Sequence, residues 1–210
     1  MKINIHTIYR PFLKYFRTKR MLLFEKYFRI TPETKILDVG GTDFNWSLLR
    51  IQPKLTFLNL TPPRKQNPAD TWLVADGCNL PFPDKAFDIV YSNSVIEHLG
   101  SFENQRLFAA ECLRVGCQCY IQTPNKNFFI EPHLLTPFIH WLPSKMRERL
   151  LRNFTVWGLL TRPSKEACHD FVKQVFLLGQ RDLEKLFPNT IIQPEKVFGI
   201  TKSFEVIVNG

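Results

Sequence analysis

Val74-Ala75-Asp76-Gly77-Cys78-Asn79-Leu80-Pro81-Phe82-Pro83-Asp84-Lys85-Ala86-Phe87-Asp88-Ile89-Val90 is the stretch on which the fold turns. It joins the end of one apolar strand, Thr71 to Ala75, to the start of another, Phe87 to Ser92. Between them, Leu80-Pro81-Phe82-Pro83-Asp84 leaves room for only a short connection, because proline removes a donor and fixes its own φ. The first strand ends on Asp76-Gly77, a polar residue followed by a residue tolerant of tight turns.

Upstream, Lys35 to Val39 is a short apolar strand running into Gly40-Gly41, and Lys54 to Leu60 reads as a second strand closed by Pro62-Pro63. Asn45 to Arg50 between them looks helical, with Pro53 as its stop. Downstream, Phe102 to Val115 has the apolar spacing of an amphipathic helix, and Cys119 to Thr123 is a fifth strand. Strands alternating with helices at this spacing imply parallel pairing through right-handed crossovers. Residues 124–178 break the rhythm, being rich in proline, aromatic and basic residues, with helices expected around 134–141, 144–153 and 164–177. A helix near 180–187 and strands at 190–198 and 203–208 restore it. The expected fold is therefore α/β: a doubly wound, mostly parallel seven-stranded Rossmann-like sheet with a helical insertion after strand five. With no repeat and no linker, residues 1–210 are read as one domain, in which 1–30 form an N-terminal helical segment and 124–178 a substrate-facing insertion.

The 210 residues suffice for a sizeable core, and a hydrophobic share of 44% with 22% charged residues is ordinary for a globular protein. No apolar run approaches the roughly 20 residues that cross a bilayer, and the N-terminus lacks a secretory-signal pattern. The five cysteines include no C-x-x-C pair, so they are read as reduced thiols of a cytoplasmic protein. The net charge of +9 is concentrated: residues 1–30 carry eight Lys/Arg against a single acid, Glu25. Tyr9, Phe12, Leu13, Phe16, Leu23, Tyr27 and Phe28 give that segment an approximately helical apolar spacing. A helix packed on the domain by its apolar side is expected. Arg17, Lys19 and Arg20 also offer attachment to an anionic membrane surface. Nucleic acid is not an expected partner, and the sequence does not give the oligomeric state.

In an open α/β sheet, ligands lie beyond the carboxyl ends of the strands, where the strand order reverses. Polar residues close four successive strands here. They are Asp38-Val39-Gly40-Gly41-Thr42, then Asn59 (21 residues after Asp38), then Asp76-Gly77-Cys78, then Ser92-Asn93-Ser94 leading into Val95-Ile96-Glu97-His98-Leu99.

The run from Val74 to Val90 resembles the central signature of the type 11 methyltransferases, class I S-adenosylmethionine-dependent enzymes, and Glu97-His98-Leu99 is similar to their motif after strand four. The resemblance covers about residues 35–125 and extends more weakly to the C-terminus. It implies S-adenosylmethionine as cofactor, with Asp38, Gly40 and Gly41 bordering the methionine part. Asn59 would face the ribose, Asp76 the adenine amino group, with Gly77 and Cys78 along the ring and Asn93 near the methionine end. Two departures stand out. Thr42 and Phe44 replace glycines usual in the family's first loop, and Asn59 replaces the usual ribose carboxylate, so restoring a carboxylate at 59 is expected to hold the ribose at least as well.

Methyl transfer from a sulfonium needs alignment and exclusion of water, and a hydroxyl acceptor also needs a base. His98 is the first candidate and His133, within Glu131-Pro132-His133, the second. Glu97 and His98 also have the chemistry of metal ligands, as similar pairs do in some quinone O-methyltransferases, but with no third and fourth ligand apparent no metal site is expected. Phe128, Phe129, Leu134, Phe138, Trp141 and Trp157 are suited either to roof an apolar pocket or to form the core of a helical cap. The lack of an N-P-P-Y motif after strand four argues against nucleobase or glutamine methylation. The expected acceptor is a small molecule, such as a lipid, quinone, sugar or secondary-metabolite intermediate, methylated on oxygen. Two rival expectations remain. A non-catalytic S-adenosylmethionine-binding or membrane-docked partner protein would bind the cofactor without turnover. A Rossmann dehydrogenase is disfavoured by the absence of G-x-G-x-x-G from the first turn.

Overall fold

A computed structural model describes residues 5–63, 67 and 69–209, with the backbone alone for 5–13. The first helix, α1 (Ile5–Tyr27), leads to β1 (Lys35–Val39), a single-turn α2 (Asp43–Trp46), β2 (Lys54–Asn59), β3 (Thr71–Val74) and β4 (Phe87–Asn93). A 3-10 turn at Ile96–His98 precedes α3 (Phe102–Val115) and β5 (Gly116–Pro124). The insertion contains β6 (Ile130–Glu131), β7 (Thr136–Pro137), α4 (Ser144–Phe154), α5 (Val156–Thr161) and α6 (Lys165–Gln174). Then α7 (Gln180–Leu186), β8 (Ile191–Val197) and β9 (Ile200–Val208) close the chain.

The main sheet has seven strands in the order β3-β2-β1-β4-β5-β9-β8. Strands β1 to β5 pair in parallel, while β9 runs antiparallel between β5 and β8. Because β1 is central and the chain builds first to one side and then to the other, the order reverses between β1 and β4. The expected mostly parallel, doubly wound sheet is what forms.

Both faces of the sheet are covered, which is why its central strands read as continuous apolar runs rather than alternating ones. Leu37, Val39, Val90 and Ile121 face α3 and α7, packing on Phe108, Cys112 and Leu183. Ile36, Phe57, Tyr91 and Tyr120 face the other way, onto Met21, Phe24 and Phe28 of α1 and Trp46 of α2. Phe24 meets Trp46, Tyr91 and Tyr120 edge-on at 5.4–5.8 Å between ring centroids. The N-terminal segment thus packs on the sheet, as its apolar stripe suggests. Tyr9, Phe12 and Leu13 lie outside the residues whose side chains are described. The basic trio does not form one exposed patch. Arg20 is buried and Arg17 half-buried, leaving Lys19 exposed. No described helix is long and apolar enough to cross a membrane.

Two local expectations fail, and one helix was not expected. Residues 134–141 are not a helix but part of the β6-β7 hairpin and a 3-10 turn at Ile139–Trp141, because Leu135 (φ 49°) and Phe138 (φ 60°) take left-handed conformations that break helical continuation. The helix expected at 45–50 is only Asp43–Trp46, its chain turning away before Pro53. Helix α5, capped by Thr155 accepting from Gly158 N, was not foreseen. The insertion builds its own small core from Leu134, Ile139, Leu151 and Cys168 with Trp157 and Phe171 packed against it.

Candidate active site

The turn after β1 is where glycine is required. Gly40 has φ +80° and donates to Leu58 O at 2.7 Å, and a Cβ there would approach Val95 to 2.5 Å. A Cβ on Gly41 would fall within 1.9 Å of the Asp38 carboxylate. Asp38 is fully buried beneath this turn. Its Oδ2 accepts from Trp46 Nε1 at 2.8 Å, while Oδ1 has no hydrogen-bond partner among the described residues. Burial pushes its pKa up to about 7, against the opposing pull of the Trp46 N–H and the Arg17 charge. Asp38 therefore supports the turn from below.

At the end of β2, Asn59 is half-buried and its amide donates to Gly41 O at 3.1 Å, tying the strand end to the glycine turn. At the end of β3, Asp76 is exposed, and its Oδ1 accepts from Cys78 N at 2.9 Å. Gly77 lies close over the core, where an added Cβ would touch Phe108 and Val39 at 3.0–3.1 Å. The Cys78 thiol, pushed up to about 11 by burial and then by Asp76, is no nucleophile at neutral pH. The proline-punctuated connection that follows is pinned by α3. Glu111 accepts from Leu80 N, and Arg114 donates to Leu80 O, Phe82 O and Asp84. This part of the signature positions the strand ends rather than offering reactive groups.

Asn93 and Ser94 follow β4. Ser94 adopts φ 58° and donates to Gln122 Oε1 at 2.8 Å. Asn93 Oδ1 accepts from Arg20 of α1 at 3.0 Å. Beside them opens a cavity of about 620 Å³. Its walls come from α1 (Phe16, Arg17, Arg20), the strand ends (Asn93, Ser94, Gln122), the start of the insertion (Phe128, Phe129, Ile130) and the β8-β9 hairpin. Phe128 and Phe129 thus roof a pocket, whereas Leu134 and Trp157 belong to the cap's core, and Phe138 and Trp141 are more than half exposed.

The structure brings His98 and His133 together, with ring centroids 4.7 Å apart and planes 79° to each other. His133 Nδ1 bonds Glu131 Oε1 at 2.6 Å, and Glu131 Oε2 accepts from Leu134 N. Burial and the neighbouring His133 depress His98 to about 4. Burial lowers His133 too, but its bond and charge interaction with Glu131 outweigh that and raise it. Glu97 is fully buried, which pushes its pKa up. Its Oε2 accepts from Thr123, and its Oε1 has no partner. Ligand-type atoms of Glu97, His98 and His133 all lie within 4.8 Å of one another, His133 being folded back from the insertion beside the pair that the sequence offered. Neither histidine is among the residues lining the large cavity, although Pro132 is.

Arg17, Arg20, Phe16 and Lys202, prominent around the cavity, were not foreseen as site residues. One signal was present for Arg20. It falls on the i, i+4 stripe Phe16-Arg20-Phe24-Phe28, a charge in the middle of a buried face.

Residues 41–118 match the family model described as a methyltransferase domain. No curated protein matches the sequence. Among solved structures, the PH0226 protein of Pyrococcus horikoshii OT3 superposes with a TM-score of 0.62 at 17% identity, covering 94% of this chain and 90% of that one. A phosphoethanolamine N-methyltransferase 2 of Haemonchus contortus, solved with phosphomonomethylethanolamine and S-adenosylhomocysteine, gives 0.53 at 13% identity over 84% of this chain and 38% of its own. Over residues 41–118, on the fold and strand-end geometry described above, the chain is thus similar to a methyltransferase domain, and the cofactor to fit is S-adenosylmethionine. Its residues suit that cofactor, with glycines where backbone must come close, an exposed carboxylate at Asp76 to accept from an amino group, and Asn59 beside the turn.

Proposed function

We propose that the enzyme methylates a small molecule with an apolar body, held in the 620 Å³ cavity beside Asn93 and Ser94. That cavity is the observation that carries the reading. It lies at the carboxyl ends of β4 and β5, next to the turn that would hold the methionine end of the cofactor, and its size and largely apolar wall suit a small ligand. Asp76 receives the adenine amino group and Asn59 sits at the ribose. Gly40, Gly41 and Asn93 offer backbone at the methionine end, Gly77 and Cys78 line the adenine, and Asp38 supports the turn. S-adenosylmethionine supplies an activated methyl group when bound. The chain's part is to orient the acceptor and keep water away. For a hydroxyl acceptor, His133 is the proton acceptor. Support comes from Glu131, which fixes its ring, from Pro132 in the cavity wall next to it in the chain, and from His98 packed against it.

Incubation with methyl-labelled S-adenosylmethionine and a small-molecule extract tests this. Label should enter the solvent-extractable fraction. Ile130→Trp, which narrows the cavity, should abolish that incorporation while S-adenosylhomocysteine binds as before, and His133→Asn should lower it at least tenfold. Label appearing instead in protein or nucleic acid would refute the small-molecule reading. Cofactor binding with no transfer to any fraction would point to the non-catalytic alternative.

A further inference from the structure

Charge is unevenly distributed around the acceptor cavity. Arg17, Arg20 and Lys202 line it, and no carboxylate does; all Asp and Glu residues of the chain fall within the described residues. Behind the wall, a single carboxylate serves two of these cations. Arg20 holds Glu195 through Nε at 3.2 Å and Nη2 at 2.9 Å, and Lys202 Nζ reaches Glu195 Oε2 at 2.8 Å. Ser203 also donates to Glu195, so its oxygens are fully engaged. Arg17 lies with its guanidinium 5.2 Å from the centre of the Phe44 ring and makes only a long 3.5 Å hydrogen bond to Asn45. The next acidic groups, Glu205 near Lys202 and Asp38 near Arg17, are both buried, and burial pushes each up to about 7. Lys202 is drawn down to about 8, first by burial and then by Arg20, which is the mark of crowded cations.

The cavity wall therefore holds three cations against one fully ionised carboxylate behind it. Partly buried positive charge in apolar surroundings is costly unless an anion accompanies it. The remaining wall is mainly aromatic and aliphatic, from Phe16, Phe128, Phe129 and Ile200.

We infer that the acceptor is an anionic amphiphile: an apolar body lies against the phenylalanines, and a carboxylate or phosphate group is seated among Arg17, Arg20 and Lys202. This rests on the reading of the cavity as the acceptor site. The anionic group is a handle that sets orientation, and the atom to be methylated lies elsewhere on the molecule, toward Asn93 and Ser94. Arg20 links the two ends, because its Nη1 donates to Asn93 while its other nitrogens hold Glu195.

Calorimetry on the full chain, saturated with S-adenosylhomocysteine, tests this with decanoate, decyl phosphate and decanol, each below its micellar concentration. At least one of the two anions should bind ten times more tightly than decanol, and comparing them tells carboxylate from phosphate. Lys202→Met should weaken the preferred anion tenfold or more and leave decanol unchanged. Arg17→Met, at a position without a buried ion pair, should weaken it at least threefold and guards against a folding defect in the first variant. S-adenosylhomocysteine affinity should stay the same in both. Equal binding of decanol and the anions, or variants that weaken all three ligands alike, overturns the inference while leaving the acceptor cavity standing. If none of the three binds while S-adenosylhomocysteine does, the acceptor reading itself fails and the inference falls with it.

Discussion

Replacing Asp38 with asparagine changes one buried group at the heart of the fold, and its consequence can be worked out from the geometry. The carboxyl is fully buried in β1, one oxygen accepting from Trp46 and the other unpartnered. Burial raises its pKa from an ordinary 3.8 to about 7. A carboxyl whose folded pKa is raised favours the protonated form in the fold. Its contribution is therefore most favourable below pH 4 and declines as pH climbs from the unfolded pKa to the folded one, levelling off above about 7. A shift of about three units at 1.36 kcal/mol each gives on the order of 4 kcal/mol across that window. Asparagine keeps an acceptor for the Trp46 N–H and cannot ionise. Relative to wild type, Asp38→Asn should thus gain about 2–3 kcal/mol of stability between pH 5 and pH 8, most of it by pH 7, where the difference levels off. Urea unfolding followed by tryptophan fluorescence at pH 5, 6, 7 and 8 measures this. Glu205, also buried, is pushed up to about 7 as well, but it is common to both proteins and cancels in the comparison. If the two stabilities run parallel with pH, Asp38 is not the buried ionising group described here.

Other expectations concern the cofactor. Asp76→Ala removes the cap on Cys78 N and the proposed acceptor for the adenine amino group, and should weaken S-adenosylhomocysteine about tenfold, a loss near 1.4 kcal/mol. Unchanged affinity in a titration would remove Asp76 from the site. Asn59→Asp reverses the outcome anticipated from the sequence. It replaces a donor to Gly41 O with a carboxylate about 3 Å from that carbonyl, so affinity should fall several-fold rather than hold or improve, and a tighter complex would show that the ribose, not the turn, governs this residue.

The sheet was legible because its strands are buried on both faces and their apolar runs are bounded by glycine and proline. The strand ends were legible because four polar endings occur in order. What stayed hidden depended on contacts between distant positions. Arg20 announces itself as a charge in an apolar stripe, but nothing local identifies Glu195, 175 residues away, as its partner. The sequence offered Glu97 and His98 as adjacent ligand types. It could not show that a hairpin turning through left-handed Leu135 and Phe138 carries His133 back against His98. The same hairpin explains the misread helix at 134–141, since apolar spacing does not register a φ sign change at two residues.

Helix α1 ties the wall of the large cavity to the core. Residues one and two turns apart on a helix share a face, so Phe24 and Phe28, wedged against the Tyr91-Tyr120 stack, fix where Phe16, Arg17 and Arg20 stand along the cavity wall. The buried pair of Arg20 with Glu195 adds direction rather than much stability, because the desolvation of two charges offsets most of their attraction. Apolar packing alone would tolerate small slides of α1 along the sheet. The bidentate contact to Glu195 on β8, together with the bond to Asn93 after β4, admits one register only. The basic segment thus acts through three-dimensional placement: among its described side chains, Arg17 and Arg20 line the cavity, and Lys14, Lys19 and Arg29 face outward.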